Sequence, residues 1–432
     1  ECVRCKSQPR RSGMETLGLS RSNCSLACPE GHSFDGVGVH RRICRAHRHG
    51  ILVVRRRIHG DDSAGGGSRQ CMGRICLEPN AGNRMIVNAS APGRICLFGE
   101  HQDYFGLPVV AAAIDLRGHI RSASRSDRTV ELHLLDLDEV HTWNLDALPE
   151  PGPRAYWLAA LHVARKEGWL PENGWRAEVT SAIPQQAGAS SSSALTAAWC
   201  ALIATRTGKS FDQEWVAHAT WRVEVAFFDE PGGMMDQVMC AMGGVRTVDF
   251  HPAFATQPVS RPAGEWLLID SEQPKDTLGI LSRAKHQRLE LLEEWGASLH
   301  AGMFPERPPQ WDLNAHRLMD ATVGIQSVSA DGRALLETGG ASCQAIGQRL
   351  TEHHRWLSEG IDVSTERIDA LLEQAAQLGA CGGKINGSGG GGTAFAVFPD
   401  GKRQPAVDAF RATGARVIPI NLSAEGVGIE VN

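Results

Sequence analysis

The feature that most constrains the fold is a junction at residues 183–194, where a strand-like run stops and an alanine-rich helix begins. The connecting sequence, Ile183-Pro-Gln-Gln-Ala-Gly-Ala-Ser-Ser-Ser-Ser-Ala194, contains only small and polar residues after its proline. The run Glu178–Ile183 predicts a strand, and the long apolar stretch Ala189–Thr205 predicts a helix. The chain therefore contains at least one strand–loop–helix unit, which indicates a fold that mixes strands with helices.

The loop at this junction also has the composition of a phosphate-binding site. Such a loop exposes backbone N–H groups at the start of a helix, where the helix dipole favours anions. Ser190–Ser193 add hydroxyls that can hydrogen-bond phosphate or ligate Mg²⁺. The alternative is a simple serine cap on the helix, although four serines after Gly188 are more than a cap requires. The loop is not a Walker A motif, because no Gly-Lys-Ser/Thr follows.

A second loop is defined by its glycines. Seven of the twelve residues in Gly382–Thr393 are glycine, and an apolar run follows at once. Glycine is costly to order, so a dense cluster between structured segments indicates close approach of backbone to a ligand. A flexible linker is the alternative, but Lys384 and Asn386 interrupt the run.

A third segment, Gly93–Gly106, places polar side chains directly after an apolar strand-like run. Glu100, His101, Asp103 and Tyr104 follow Gly99 and could hydrogen-bond a polyol. A metal site is a rival interpretation, although Glu-His-x-Asp alone is a weak metal signature. An ordinary surface turn is the third possibility.

The chain changes character near Met85. Residues 1–84 carry 15 basic and 7 acidic side chains and seven of the 12 cysteines, whereas the remainder carries 29 basic and 42 acidic side chains. The first segment shows no sustained apolar period and no signal-peptide layout. Its cysteine pairs could bind zinc, and the stretch Arg41–Arg57 could contact nucleic acid. We expect instead a disordered or non-native leader, translated upstream of a start at Met85.

Length and composition exclude several classes of protein. With 432 residues, 42% of them apolar, the chain can bury a sizeable core and is not fully disordered. It has no run of 18 apolar residues that would predict a transmembrane helix. The net charge of −5 argues against a protein that binds nucleic acid as a whole. The five cysteines after Met85 are scattered and odd in number, which predicts reduced thiols in a cytosol.

The second half of the chain reads as alternating helices and strands. The stretch Pro252–Pro262, with three prolines, is the best candidate for a linker. Further helices are predicted by the apolar periods of Asp212–Phe228, Thr277–Trp295, Ala341–Leu357 and Thr365–Leu378.

Taken together, the three segments resemble, in this order, the motifs of the GHMP small-molecule kinases. Gly93–Tyr104 is similar to the galactokinase signature. Residues 183–194 resemble the family's phosphate loop, and residues 382–393 resemble its C-terminal glycine-rich motif. The resemblance extends over about residues 85–432.

A fourth match lies between the serine loop and the glycine-rich loop. Pro231-Gly-Gly-Met-Met-Asp-Gln237 is similar to the galactokinase segment that carries the catalytic aspartate, here Asp236. Glu224 stands twelve residues before Asp236, which is the spacing that the family uses for its Mg²⁺-binding glutamate.

The resemblance implies an α+β, two-domain GHMP kinase fold. Its N-terminal domain would be an α/β domain like that of ribosomal protein S5, and its C-terminal domain an α/β sandwich. We expect the N-terminal domain, with the sugar and phosphate loops, at residues 85–255. The C-terminal domain, with the glycine-rich motif, is expected at residues 263–432, and residues 1–84 form the leader.

Four departures from the galactokinase pattern bear on the substrate. Gln185-Gln-Ala187 stands where galactokinases are richer in glycine, and Asn386 stands where a threonine is usual. Gly232 replaces a cysteine beside the sugar. Galactokinases also place a tyrosine from a later segment against the sugar, and this chain has no tyrosine after Tyr156.

The family resemblance assigns roles to individual residues. Asp236 would accept or orient the proton of the sugar hydroxyl, and Arg94 would stabilise charge near the γ-phosphate. Ser192 and Glu224 would hold Mg²⁺, a cation that prefers oxygen ligands. Sugar binding is assigned to Glu100, His101, Asp103, Tyr104 and Gly233. ATP binding is assigned to Gly188, Ser190, Ser191, Ser192, Ser193, Lys384, Gly387, Gly389 and Gly390.

The resulting hypothesis is a cytoplasmic, ATP- and Mg²⁺-dependent sugar kinase that phosphorylates the anomeric or a neighbouring hydroxyl. A small-molecule sugar would be its partner, with no nucleic acid or membrane, and the protein would be a monomer or homodimer. Other acceptors on the same scaffold are another hexose, a heptose phosphate, a uronic acid or a mevalonate-type alcohol. A non-catalytic sugar or nucleotide sensor is the alternative of another class, which the presence of Arg94, Glu224 and Asp236 disfavours.

Overall fold

The computed structural model describes residues 85–185, 187–230, 232–273, 277–422 and 424–432, and gives only the backbone of residues 277–283. The expected leader, with its cysteine pairs and its arginine-rich stretch, lies outside the described residues.

Within these residues, eight strands form a first sheet, which provides one wall of the molecule's core. Numbered along the chain, its strands are β1 (Ile86–Phe98), β2 (Val109–Ser124), β3 (Thr129–Leu134), β4 (Glu139–Asn144), β5 (Trp175–Ser181), β6 (Val245–Asp249), β7 (Ala255–Pro258) and β12 (Gly428–Val431). The strand order is β12-β1-β2-β5-β3-β4, and β6 pairs with β2 and β7. All pairs are antiparallel except β3 with β5.

A second sheet, of four strands in the described part of the chain, carries the glycine-rich loop. Its strands are β8 (Glu265–Asp270), β9 (Gly382–Ile385), β10 (Thr393–Phe398) and β11 (Arg416–Ile420). They lie in the antiparallel order β11-β8-β10-β9. The glycine-rich loop is therefore the connection between two neighbouring strands of one sheet, which fixes both of its ends.

Helices cover the two sheets and connect their strands. They are α1 (Tyr156–Glu167), α2 (Ser191–Arg206), α3 (Gln213–Trp221), α4 (Met235–Met242), α5 (Thr277–Trp295), α6 (Leu313–Thr338), α7 (Cys343–Arg355), α8 (Glu366–Gln377) and α9 (Arg403–Ala412). Helices α7 and α8 pack on β9 and β10, and α9 packs on β8 and β11. The structure thus mixes helices and strands, as the expected α+β class requires.

Helix α2, which follows the serine loop, lies in the centre of the first core. It packs against β1 and β2 on one side and against α1, α3 and α4 on the others. Its residues from Ala197 to Ile203 are completely buried, because alanine-rich faces allow strands and helices to approach closely. A fully buried Leu or Ile contributes about 1.5–3 kcal/mol to stability. This packing fixes the N-terminus of α2, and with it the serine loop.

Two predicted helices differ from the observed ones. The single helix expected over Asp212–Phe228 is divided into α3 and a π-helical turn, Arg222–Ala226. The 26-residue helix α6 was not predicted, since glycines interrupt its pattern. One of these, Gly332, lies where an added Cβ would come within 2.5 Å of the Phe98 ring, so the glycine permits α6 to pack on β1.

The end of the chain returns to the first sheet. Strand β12 pairs with β1 in register Val87 to Val431 and Ser90 to Gly428. Strand β7 lies inside the proline-rich stretch that was expected to be a linker. The proposed boundaries at residues 255 and 263 remain a prediction.

The expectation that all five later cysteines are reduced thiols is wrong. Cys343 and Cys381 form a disulfide with their Cα atoms 6.1 Å apart, because α7 packs directly on the segment that leads into β9. Cys96, Cys200 and Cys240 are buried free thiols. Across the described residues, no helix combines the length and the apolar character that a membrane span needs.

Candidate active site

A cleft of about 420 Å³ brings together side chains from all four sequence motifs. The predicted site residues that line it are Arg94, Glu100, His101, Asp103, Tyr104, Gly188, Ser190, Ser191, Ser192, Ser193, Glu224, Gly233, Asp236 and Gly387. Three predicted site residues, Lys384, Gly389 and Gly390, do not line the cleft.

An ion pair between Arg94 and Asp236 lies in the cleft. Arg94, on β1, donates from Nε to Asp236 Oδ1 at 2.8 Å, and its Nη2 lies 2.6 Å from the same oxygen. Asp236 is the second residue of α4 and keeps 32% of its side chain exposed. Burial disfavours the charged guanidinium, but Asp236 and Glu100 outweigh this effect and raise the pKa of Arg94. Asp236 thus combines an open carboxylate with a permanently charged neighbour.

The serine loop presents a helix N-terminus to the cleft. Ser190, the N-cap of α2, has a left-handed backbone with φ 59°, and its side chain does not cap the helix. Its hydroxyl is buried and has no hydrogen-bond partner among the described residues. Buried polar atoms are normally satisfied, so an unpaired hydroxyl next to a helix N-terminus fits an anionic ligand.

The Glu224 carboxylate forms the far side of this loop and depends on neutral donors. Its two oxygens accept from Ser193 Oγ at 2.7 Å, Gln237 Nε2 at 2.8 Å and Thr196 Oγ1 at 3.1 Å. Burial raises the pKa of Glu224 to about 7, although these hydrogen bonds oppose the shift. The carboxylate is held in the π-helical turn, and such turns are frequent at functional sites.

These donors bear on the predicted Mg²⁺ site. Ser193, and not the predicted Ser192, hydrogen-bonds Glu224, while Ser192 is exposed at the start of α2. No cluster of three or more acidic, His or Cys side chains that could hold a metal is found among the described residues. A buried carboxylate with only neutral donors nevertheless fits a cation shared with a phosphate, because Mg²⁺ commonly uses one or two carboxylates plus phosphate oxygens.

The turn that carries the predicted sugar-binding residues, called the sugar turn here, spans residues 100–105. Asp103 begins a short 3₁₀ turn, Asp103–Phe105. Burial, with Asp236 and Glu100 nearby, raises the pKa of Asp103 to about 7. A Cβ added to Gly233 would lie 2.0 Å from Asp103 Oδ2, so the glycine allows the segment before α4 to contact this carboxylate.

Two further members of the sugar turn hydrogen-bond each other. His101, in the left-handed region at φ 62°, places Nδ1 3.1 Å from the Tyr104 hydroxyl and Nε2 3.1 Å from the Ser388 carbonyl. A carbonyl oxygen only accepts, so Nε2 carries a proton and, in the neutral ring, Nδ1 accepts from Tyr104. Burial raises the pKa of Tyr104 to about 12. His101 therefore links the sugar turn to the glycine-rich loop.

Lys384, which was expected to contact ATP, is instead a buried structural cation. It is completely buried, and its Nζ donates to Glu100 Oε2 at 2.9 Å, Cys96 O at 3.0 Å and Ile385 O at 2.8 Å. An ammonium has three donors, so none is left for a nucleotide. The assignment of Lys384 to ATP binding is wrong for this arrangement, because β9 carries the side chain under the sugar turn.

The glycine-rich loop packs against protein where contact with a ligand was expected. Gly389 has φ 83°, and an added Cβ would lie 2.2 Å from the Val363 carbonyl. The next N–H, that of Gly390, donates to the same carbonyl at 2.8 Å. Gly387 lines the cleft, but its N–H donates to Glu100 at 3.0 Å. The loop needs its glycines for close approach to backbone, so the assignment of Gly389 and Gly390 to ATP is not supported.

Asn386 joins the two loops, which explains why this position is polar and buried. Its Oδ1 accepts from the Cys96 N–H at 3.1 Å, and its Nδ2 donates to the Gly188 carbonyl at 2.9 Å. Arg94 Nη1 donates to that same carbonyl. The Gly188 carbonyl is thereby turned away from the cleft, leaving N–H groups and hydroxyls to face it.

Comparison with known protein families agrees with this geometry. Residues 155–244 match the GHMP kinases N terminal domain, and residues 341–416 match the GHMP kinases C terminal domain. Residues 80–120 match the galactokinase galactose-binding signature. The chain belongs to the GHMP kinase family.

Relatives of this GHMP kinase include enzymes with two different names. A mevalonate kinase of Thermococcus onnurineus is 26% identical over 357 residues, which cover 80% of this chain and 99% of the relative. A galactokinase of Mycobacterium bovis is 29% identical over 361 residues, which cover 76% of this chain and 93% of the relative. Neither name is favoured by these identities.

Solved structures share the two-domain GHMP kinase fold. Lactococcus lactis galactokinase complexed with galactose superposes with a TM-score of 0.66 at 18% identity, covering 79% of this chain and 95% of that one. Methanococcus jannaschii mevalonate kinase gives a TM-score of 0.63 at 18% identity, covering 78% and 98%. The expected fold class is thereby confirmed.

Several residues that line the cleft of this GHMP kinase were missed in the sequence. Arg154 Nε donates to Glu230 at 3.1 Å, and the Tyr156 hydroxyl donates to the same carboxylate at 3.3 Å. Both of the chain's tyrosines lie in the cleft, which is the one sequence signal that could have found Tyr156. Gln237 follows Asp236 directly, so the motif itself could have included it.

Proposed function

We propose that this GHMP kinase transfers the γ-phosphate of ATP to a hydroxyl of a neutral sugar, with the anomeric hydroxyl as the expected acceptor. The observation that carries the proposal is the Arg94–Asp236 pair, which lies in one cleft with the sugar turn and the N-terminus of α2. Phosphoryl transfer depends mainly on positioning and charge stabilisation, and these three elements supply both.

The charges of the cleft support a neutral acceptor. Its lining contains five carboxylates and two guanidinium groups: Glu100, Asp103, Glu224, Glu230, Asp236, Arg94 and Arg154. Both guanidiniums already face carboxylates. An acceptor with its own carboxylate or phosphate would meet unpaired negative charge and no unpaired cation in the described lining, whereas sugar hydroxyls can hydrogen-bond carboxylates. This favours a sugar over a uronic acid, a sugar phosphate or mevalonate.

The proposed chemistry assigns one task to each part of the site. Asp236 accepts the proton of the attacking hydroxyl, or orients it, while Arg94 offsets the added negative charge near the phosphate. The serine hydroxyls and the N–H groups at the start of α2 hold phosphate oxygens. Glu224 and a serine of the loop hold Mg²⁺, which supplies charge neutralisation at the phosphates when bound. Asp103 and Glu100 bind acceptor hydroxyls.

The test is a panel of acceptors offered to the full chain with ATP and Mg²⁺, read by ADP release. Galactose and galacturonate form a matched pair, because they share their hydroxyl arrangement and differ by a carboxylate. Glucose, mannose, two hexose phosphates and mevalonate complete the panel. We expect turnover with at least one neutral sugar and a kcat/KM at least about tenfold lower for the matching uronate, equivalent to ~1.4 kcal/mol.

Two outcomes would contradict the proposal. Turnover with mevalonate or an anionic sugar alone would move the acceptor class. Binding of sugar or ATP without any turnover would favour the sensor alternative.

A further inference from the structure

Helix α5 contributes a buried arginine to the back of the sugar turn. Arg288 is 1% exposed, and its guanidinium reaches across from α5 to residues of the N-terminal motif. Its Nη2 donates to the His101 carbonyl at 2.6 Å and to the Tyr104 hydroxyl, and its Nε donates to the Ala284 carbonyl at 2.8 Å. One side chain therefore holds both the backbone and a side chain of the sugar turn.

The aromatic rings of the sugar turn cover the same guanidinium. Its Cζ lies 4.7 Å from the centre of the Phe105 ring and 5.6 Å from the centre of the Tyr104 ring. Distances below about 6 Å allow cation–π attraction. Among the described residues, none of the hydrogen bonds of Arg288 goes to a carboxylate. A buried charge without an acidic partner is costly, so a role beyond simple packing is expected of it.

The hydrogen bonds continue from Arg288 to the glycine-rich loop. Arg288 donates to the Tyr104 oxygen, the Tyr104 hydroxyl donates to His101 Nδ1, and His101 Nε2 donates to the Ser388 carbonyl. Because Arg288 can only donate, it leaves the Tyr104 proton directed at His101 and so fixes the neutral tautomer of the ring. Three separate elements are thereby fixed by one chain of hydrogen bonds.

We propose that Arg288 is a positioning residue that sets the sugar turn for acceptor binding, without contacting the acceptor itself. This inference rests on the proposed function, because the acceptor is the ligand whose binding Arg288 controls. Loss of Arg288 releases Tyr104 and His101 and leaves Asp103 on an unsupported turn. The Arg94–Asp236 pair and the serine loop have no contact with Arg288 and keep their positions.

The kinetic arm of the test uses Arg288→Met, which keeps length and apolar volume, and Arg288→Lys, which keeps the charge. For Arg288→Met we expect the acceptor KM to rise about ten- to hundredfold, while the KM for ATP and kcat at saturating acceptor change less than about threefold. Arg288→Lys should recover part of the loss. The matched control is Arg307→Met, since Arg307 also covers a ring, that of Trp295 at 5.1 Å, but lies away from the sugar turn.

A structural arm is independent of activity, because the chain has only Tyr104 and Tyr156. Ring-¹³C-tyrosine labelling of the full chain gives two resonances, which Tyr104→Phe assigns. In Arg288→Met the Tyr104 resonance should shift or broaden while that of Tyr156 is retained, and Arg307→Met should leave both in place. Loss of both resonances' native positions would show general unfolding, and then Arg288→Lys is the variant that decides.

The outcomes separate this inference from the proposed function. An unchanged Tyr104 resonance in Arg288→Met, or equal losses in the KM for ATP and for acceptor, would overturn the positioning role. If the wild-type protein phosphorylates no neutral sugar, the proposed function fails, and the tyrosine resonances still decide whether Arg288 holds the turn.

Discussion

Two ion pairs lie side by side in this molecule and differ in their access to the cleft. In the pair Arg94–Asp236, the carboxylate keeps 32% of its side chain exposed. In the pair Lys384–Glu100, the exposed fractions are 0% and 4%, and the ammonium spends all three donors on protein. The first pair retains an open oxygen for a ligand, whereas the second joins β9 to the sugar turn. The same residue types thus serve chemistry in one place and architecture in the other.

The two loops differ in the same way. The serine loop leaves the Ser190 hydroxyl unpaired next to a helix N-terminus, within the described part of the chain. The glycine-rich loop uses the N–H groups of Gly387 and Gly390 on Glu100 and Val363. A ligand-binding role can be read from the unpaired polar atoms of a loop more safely than from its glycine content.

The largest expected effect concerns the exposed pair. Asp236→Asn keeps the size of the side chain and its hydrogen bond but removes a base and a negative charge. We expect turnover to fall about 10²–10⁴-fold, while sugar and ATP still bind in calorimetric titrations. Near-wild-type turnover would leave Asp236 as a structural residue and would remove the contrast between the two pairs.

The buried pair should respond in stability. Lys384→Met leaves Glu100 as a buried charge without its partner, which typically costs about 3–5 kcal/mol of unfolding free energy. Adding Glu100→Gln to that variant should restore much of the loss, because neither charge then remains. Urea unfolding of the two variants measures both quantities. A stable Lys384→Met protein with weakened ATP affinity would return Lys384 to the nucleotide site.

A smaller effect is expected where Gly233 meets Asp103. In Gly233→Ala the new Cβ would lie 2.0 Å from Asp103 Oδ2, and relief of such overpacking typically costs about 1–3 kcal/mol. The acceptor KM should rise about ten- to hundredfold. The matched control is Gly232→Ala, whose Cβ would find its nearest neighbour, Val225 Cγ2, at an ordinary 3.4 Å. Equal effects of the two variants would contradict the close contact.

The smallest effect is a pH dependence that comes from Glu224. Burial raises its pKa from 4.5 to about 7, so the folded protein binds a proton that the unfolded chain releases. This contribution to stability is complete below about pH 4.5 and is lost as the pH rises through about 7. Between pH 5 and pH 8, the urea midpoint of Glu224→Gln should therefore fall less than that of the wild type. Parallel curves would show that the carboxylate is solvated.

Sequence patterns located the site but could not assign every residue within it. Consecutive serines before an alanine-rich helix and the Glu-His-x-Asp-Tyr turn led to the cleft, because local chemistry and position coincide there. Lys384 was misassigned, since nothing local distinguishes a lysine that faces a phosphate from one that points beneath a strand. The disulfide between Cys343 and Cys381 likewise depends on tertiary packing.

The fold shows the same limit. Helix α2 was predicted because it is apolar all round and lies in the core. Helix α6 was missed because Gly324 and Gly332 weaken its pattern, although both are close contacts in the folded chain, with Trp356 and Phe98. Arg288 gave no signal, since an arginine in a helix rich in charged residues is usually on the surface.

The central claim is that the exposed pair performs chemistry and the buried pair maintains architecture. Its most direct test is the single-turnover rate of phosphoryl transfer, by quench-flow at saturating sugar and ATP, for two doubly neutralised proteins. In Arg94→Met with Asp236→Asn, we predict a rate constant about 10²–10⁴-fold below wild type. In Lys384→Met with Glu100→Gln, we predict a rate constant within about tenfold of wild type, after correction for the folded fraction. Equal losses in the two proteins, or a larger loss in the second, would contradict the account.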